Sequence, residues 1–258
     1  MRRINQLIWL DAGHGGHDSG ARSPSGVKES DVVLVVCQLA KERLEALGFR
    51  VMMSRESDVF IPLWERSSMA NDAGADLFVS AHANAADSVA SGIETFAMPG
   101  SEDGTRLASF LQDAQLDAFP DAKDRGVKYQ GFSVLRKTRM PAALVELEFI
   151  HTDKGDAHFR DSENIERHAD ALVAGVCSYV GVDVAVVSVG LSDGLSDFEA
   201  QTREVVDGLA LREEFEDLQQ ENLRLRKVAA DLRAHVAMLL ELNKAANQKI
   251  IKARKALN

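Results

Sequence analysis

Several things are scarce in this chain, and each scarcity removes a class of protein. Of 258 residues only two are cysteine, Cys37 and Cys177. They lie far apart, each inside an apolar helical pattern, so they read as small buried hydrophobes and give no disulfide framework or closed thiolate metal site. Positive charge is in deficit: the formal net charge is -10. Nucleic-acid binding needs clustered Lys and Arg against phosphate, so that class is set aside. No apolar run is long enough to span a bilayer. Met1 to Leu10 offers Arg2 and Arg3 but neither the apolar length nor the small-residue cleavage site of a secretory signal. Synthesis in the cytoplasm without a signal peptide is the expectation.

What is present is globular. Apolar residues make up 45% and charged residues 27%, enough to bury a core without staples. Residues 1–183 alternate short β-rich runs with helical patterns. Strands are expected at Gln6–Leu10, Phe49–Ser54, Leu77–Ala81, Gly92–Ala97 and Ala142–Phe149. Helices are expected at Asp31–Leu47, Leu63–Ala73, Gly104–Ala118 and Asn164–Val180, with Gly48, Gly74 and Gly181 as stops. This order predicts an α/β fold with a mostly parallel twisted sheet flanked by helices. Residues 184–202 are rich in Gly, Ser and Asp and read as a linker. From 203 to 258 an unbroken heptad register appears. Leu211, Leu218, Leu225, Leu232, Leu239, Ala246 and Ala253 hold one core position; Phe215, Asn222, Ala229, Val236, Asn243, Ile250 and Leu257 hold the other. This predicts a C-terminal α-helical coiled coil that makes a homo-oligomer, and core asparagines such as Asn222 favour a parallel dimer.

The chemistry gathers at strand ends. The first strand runs into Asp11-Ala12-Gly13-His14-Gly15-Gly16-His17, a glycine-rich turn without the spacing of a phosphate-binding or dinucleotide-binding loop. Glu29 stands just before the first helix, and His82 follows the third strand. Ligands of open α/β sheets collect at the carboxyl ends of strands. Two histidines, one carboxylate and a free fourth position form the ligand set of a catalytic zinc. Glu146 ends a strongly apolar strand, where a carboxylate is costly unless it is paired, near a metal or at the site. Glu148, two residues on, points the same way by strand alternation and is its rival.

Taken together, LDAGHGGHDSGA, Glu29, LWERSSMAND, ADLFVSAHANA and RGVKYQGFSVLRKTRMPAALVELEFI resemble the zinc-dependent N-acetylmuramoyl-L-alanine amidases of the amidase 3 type, over nearly all of residues 6–180. That resemblance implies Zn2+ on His14, Glu29 and His82, with Glu146 as catalytic acid/base. It also implies peptidoglycan as partner and substrate, cut between the lactyl group of N-acetylmuramic acid and L-alanine. His17, Asn84 and Glu148 are candidates for supporting or substrate contacts. Trp64 and Arg66 are expected to orient the helix that leads to the His82 strand. His151, His158, His168 and His235 read as surface. Glu148 departs from the family pattern by standing where Gly is usual, and His151-Thr152 replaces the usual small residue and Asn. The extra carboxylate is expected to raise the pKa of Glu146. Spacing between His82 and Arg125 leaves no room for a blocking helix of the kind some relatives carry. With no signal peptide, the combination suggests a phage or prophage endolysin acting on the wall after release. Two other readings stand beside it: a non-catalytic wall-binding scaffold that recruits partners through the helix, and a zinc peptidase or deacetylase acting on another amide.

Overall fold

The computed structural model describes residues 6–86 and 90–182. The expected linker at 184–202, the coiled coil at 203–258 and His235 lie outside them. Within them, six strands and six helices alternate: β1 (Leu7–Ala12), α1 (Glu29–Ala46), β2 (Arg50–Met53), α2 (Leu63–Asp72), β3 (Leu77–Asn84), β4 (Ile93–Ala97), α3 (Glu102–Ala118), β5 (Asp124–Tyr129), α4 (Ser133–Lys137), β6 (Ala142–Phe149), α5 (Asp153–Arg160) and α6 (Ser162–Val180).

The strands form one sheet in the order β2-β1-β3-β6-β4-β5. All neighbours run parallel except β4 and β6, which are antiparallel. The sheet is therefore mixed but mostly parallel. Every residue of β1 is buried, as a central strand covered on both faces requires. Alternation along the strands sorts the core in two. Ile8, Leu10, Val79, Ala143 and Val145 pack with α1, α3 and α6. Leu7, Trp9, Phe78, Ala142 and Leu144 pack with the smaller cover of α2 and α4. His82 and Glu146 continue the second set by strand alternation, so they sit on the thinly covered face.

The expected strands and helices are all found, with small shifts of boundary. Gly181 caps α6 in the left-handed conformation, its N–H reaching Ser178 O, as its place after the last apolar residue requires. Two shifts matter for chemistry. Helix α1 begins at Glu29 itself, and β3 runs on to Asn84, so His82 lies within the strand. Three elements were not foreseen: β5, α4 and α5.

Histidines near the C-terminal helix correct the surface reading. His168 is completely buried. Its Nδ1 donates to Gln115 Oε1 at 2.7 Å, which leaves Nε2 to accept from His158 Nε2 at 2.7 Å. His158 is half-buried and stacks near Phe119. Burial first, then His158 and Arg167, holds His168 well below the ordinary histidine value. A depressed folded pKa means that the unfolded chain takes the proton more readily. The stability from neutral His168 is therefore full above about pH 6.5 and is lost as pH falls from there toward the folded value. Unfolding by urea should be easier at about pH 5 than at about pH 7.5, and His168→Gln should flatten that slope by up to about 1.4 kcal/mol per pH unit. An unchanged slope in the variant would contradict the assignment.

Candidate active site

The turn after β1 is built by two buried arginines. Arg66, from α2, donates to Asp11 Oδ1 at 2.9 Å, to Ala12 O at 2.7 Å and to His14 O at 2.6 Å. Arg55, after β2, donates to Ala12 O at 3.0 Å and to Gly13 O at 2.7 Å. Guanidinium groups carry several donors in a rigid plane and suit such a set of carbonyls. They hold His14 at φ 57°, in the left-handed region. Arg66 thus braces the His14 loop rather than only orienting a helix, and Trp64 lies 60% exposed. The backbone must also come close to the site. A Cβ on Gly13 would stand 2.3 Å from His82 Cε1, and one on Gly20 would stand 2.5 Å from Glu29 Oε2.

Glu29 is buried at the N-terminus of α1, where the helix dipole favours negative charge. Its Oε1 lies 2.8 Å from His82 Nδ1 and 3.1 Å from His14 Nε2. Backbone N–H groups of Ala21 and Ala83 donate to Oε2 and Oε1 at 2.9 and 3.1 Å. Asp18 accepts from His14 Nδ1 at 2.9 Å and fixes the ring so that Nε2 faces Glu29. Burial works against the Glu29 charge, but hydrogen bonds from the two histidines outweigh it and hold the carboxyl far below its usual range. Burial likewise opposes a charged His82, yet its bond to Glu29 carries its pKa up to about 9. One ligand atom from each of His14, Glu29 and His82 lies within 4.8 Å of the others. The three could hold a divalent metal ion.

Glu146 stands beside them. On parallel β6 it pairs in register with His82 of β3, and on the other side with Glu94 of β4. Its Oε2 is buried without a hydrogen-bond partner among the described residues. Burial pushes its pKa up to about 7; His82 opposes this, while Glu29 and Glu94 add to it. Glu146 itself is half-buried, and a carboxylate with one buried, unpartnered oxygen beside a possible metal position has the chemistry of a proton acceptor and donor near neutral pH.

The rival, Glu148, does not share this face. Opposite His82 and Asn84 of β3 stand Glu146 and Phe149 of β6, so β6 carries one extra residue and a bulge. The bulge breaks the alternation that had aligned Glu148 with Glu146. Glu148 turns away, accepting from Gly92 N at 2.6 Å and Phe149 N at 2.9 Å, with Lys154 Nζ at 3.5 Å. The carboxylates that raise Glu146 are therefore Glu29 and Glu94. His17 is exposed and rests on Phe60, ring centroids 4.1 Å apart. Asn84 Nδ2 donates to Glu94 Oε1 at 2.8 Å. A cavity of about 190 Å³ opens beside His14 and His82, with Phe60, Leu63 and Phe132 on its apolar side. Sequence reasoning missed Asp18, Arg55 and Glu94. Asp18 was the findable one, four residues from His14 in the same turn.

A mostly parallel sheet brings two histidines and a carboxylate together, with a second carboxylate alongside, a set suited to hydrolytic chemistry. Residues 8–178 match the N-acetylmuramoyl-L-alanine amidase family, amidase 3 type, and the chain belongs to that family. It is similar to the uncharacterized protein YqiI of Bacillus subtilis, 41% identical across 67% of this chain and 84% of that protein. It is also similar to the endolysin of Bacillus phage SPP1, 40% identical across 66% of this chain but only 65% of the endolysin. Among solved structures, an N-acetylmuramoyl-L-alanine amidase from Clostridium difficile 630 superposes with a TM-score of 0.66 at 32% identity. That match covers 69% of this chain and 98% of the other.

Gly13→Ala tests the close packing of the site. The added methyl must displace the His82 ring, so retained divalent metal per chain, read by mass spectrometry of metals, should fall at least about tenfold in affinity. Retention equal to that of the unaltered protein would refute the packing account.

Proposed function

We propose that this chain is an amidase of peptidoglycan that cuts the bond between the lactyl carbonyl of N-acetylmuramic acid and the amine of L-alanine, with zinc held by His14, Glu29 and His82. Family membership over residues 8–178 supports the reaction, and the convergence of the three ligand atoms supports the metal. Two imidazoles and one carboxylate with an open fourth position suit a catalytic zinc. When bound, such an ion supplies Lewis acidity, polarising a carbonyl and making water a stronger acid.

The chain's own residues do the rest. Asp18 and the Arg55 and Arg66 clamps hold His14 in place. Glu146, as carboxylate, accepts a proton from the attacking water. Once the carbonyl carbon has gained the water oxygen, the protonated Glu146 returns that proton to the departing amine as the C–N bond breaks. A pKa near 7 suits both halves of that cycle. The heptads over residues 211–257 support the further reading that several copies act together on a polymeric wall, gaining avidity through a parallel dimer.

The observation that carries the mechanism is the buried, unpartnered Glu146 Oε2 in register with His82. Purified sacculi digested with the protein should release stem peptides with a free L-alanine amine. Glu146→Gln should reduce that release by about 10²–10⁴-fold, and Glu148→Gln should retain most of it. Release unaffected in Glu146→Gln, or abolished only in Glu148→Gln, would reverse the assignment.

A further inference from the structure

The face of the sheet that carries His82 and Glu146 continues over two more strands, and its next occupant is a charge cluster. Glu94 on β4 is the cross-strand neighbour of Glu146 and is only 4% exposed. One of its oxygens takes the Asn84 amide; the other, Oε2, meets Arg125 Nε and Lys128 Nζ of edge strand β5, each at 2.5 Å. Burial pushes the Glu94 carboxyl up, but the hydrogen bonds from Lys128 and Arg125 outweigh it and keep the group ionised.

Two cations meet one buried anion, in a chain whose formal net charge is -10. Neither cation is used up. Arg125 meets Glu94 through Nε, so its terminal guanidinium nitrogens lie outside that bond, while its plane rests 4.8 Å from the Phe149 ring centroid. Lys128 keeps 38% of its side chain exposed. The buried anion thus fixes two solvent-facing donors in place, which is how a receptor for a second carboxylate is preorganised.

We propose that Arg125 and Lys128 bind the free carboxylate of the acidic residue that follows L-alanine in the stem peptide. This assignment rests on the amidase reading and names the part of the substrate that this side of the site recognises. Distance fits it. Glu94 stands on the strand next to Glu146, one strand spacing of ~5 Å away, and both cationic heads lie 2.5 Å from Glu94 Oε2. One further residue of extended chain spans ~3.5 Å, so a carboxylate on the residue after L-alanine reaches them when the scissile nitrogen lies at Glu146. The cavity beside His14 and His82 carries Phe60, Leu63 and Phe132 in its lining, apolar groups that do not recognise a carboxylate.

The test compares two soluble substrates, N-acetylmuramyl-L-alanyl-D-isoglutamate and its D-isoglutamine counterpart, which differ only in that carboxyl. The unaltered protein should prefer the free acid. Lys128→Gln should raise KM for the acid by about three- to tenfold with little change in kcat. KM for the amide should stay within about twofold, and Lys128→Arg should restore the preference. An enzyme active on both substrates without discrimination, or a variant weakened equally toward both, would overturn the subsite and leave the amidase reading intact. Failure of the unaltered protein to cleave either substrate would overturn the two together.

Discussion

Glu29 is a carboxylate with almost no access to water, and it survives there because two imidazoles and two backbone N–H groups converge on it. Burying an isolated charge costs far more than a domain's net stability allows, so those partners must be in place before α1 can begin where it does. The requirement spreads outward. His14 reaches Glu29 only from a left-handed backbone, and that backbone is held through its carbonyls by Arg55 and Arg66. Arg66 is in turn neutralised by Asp11, which also accepts from Ser80 on the neighbouring strand. The start of α1, the turn after β1 and the ends of β2 and β3 are thus one electrostatic unit. A divalent ion held by the same three side chains would balance the same carboxylate.

The sheet register then arranges chemistry in a row. His82, Glu146 and Glu94 are lateral neighbours on β3, β6 and β4. Strand spacing near 5 Å keeps adjacent carboxylates close enough to influence one another without sharing a hydrogen bond. Glu94 keeps its charge because two cations neutralise it; Glu146 has no such ion pair among the described residues, and burial raises it to about 7. Two glutamates on adjacent strands are thereby given different work, one fixed as an anion and the other able to exchange a proton.

Much of this was legible in the residues. Continuous apolar runs gave the central strands, and glycines after apolar periodicity marked the ends of α1 and α6. His14 in a glycine-rich turn, Glu29 before a helix, His82 after a strand and Glu146 ending an apolar strand stood out in the sequence, and the family resemblance supplied their expected roles. What was hidden has physical reasons. Strand β5, DRGVKY, is an edge strand, exposed or half-exposed throughout, so it lacks the apolar signal of its neighbours. Helices α4 and α5 span 5 and 8 residues, too few for periodicity to register, although the Thr152 cap of α5 was a local cue. The bulge in β6 leaves the composition of LVELEF unaltered while turning Glu148 away, so alternation assigned it to the wrong face. His168 looked like a polar residue on a helix surface because Gln115, which pairs with it, is distant in sequence.

Catalysis as proposed requires His14, Glu29 and His82 to act as one ligand set with a coordination position left for substrate beside Glu146. Crystals grown with stoichiometric zinc, with anomalous scattering recorded across the zinc edge, test this most directly. The prediction is a single anomalous peak within about 2.0–2.2 Å of one nitrogen from each histidine and one Glu29 oxygen, with its open side toward Glu146. A peak bound elsewhere, or one that omits any of the three side chains, would contradict it.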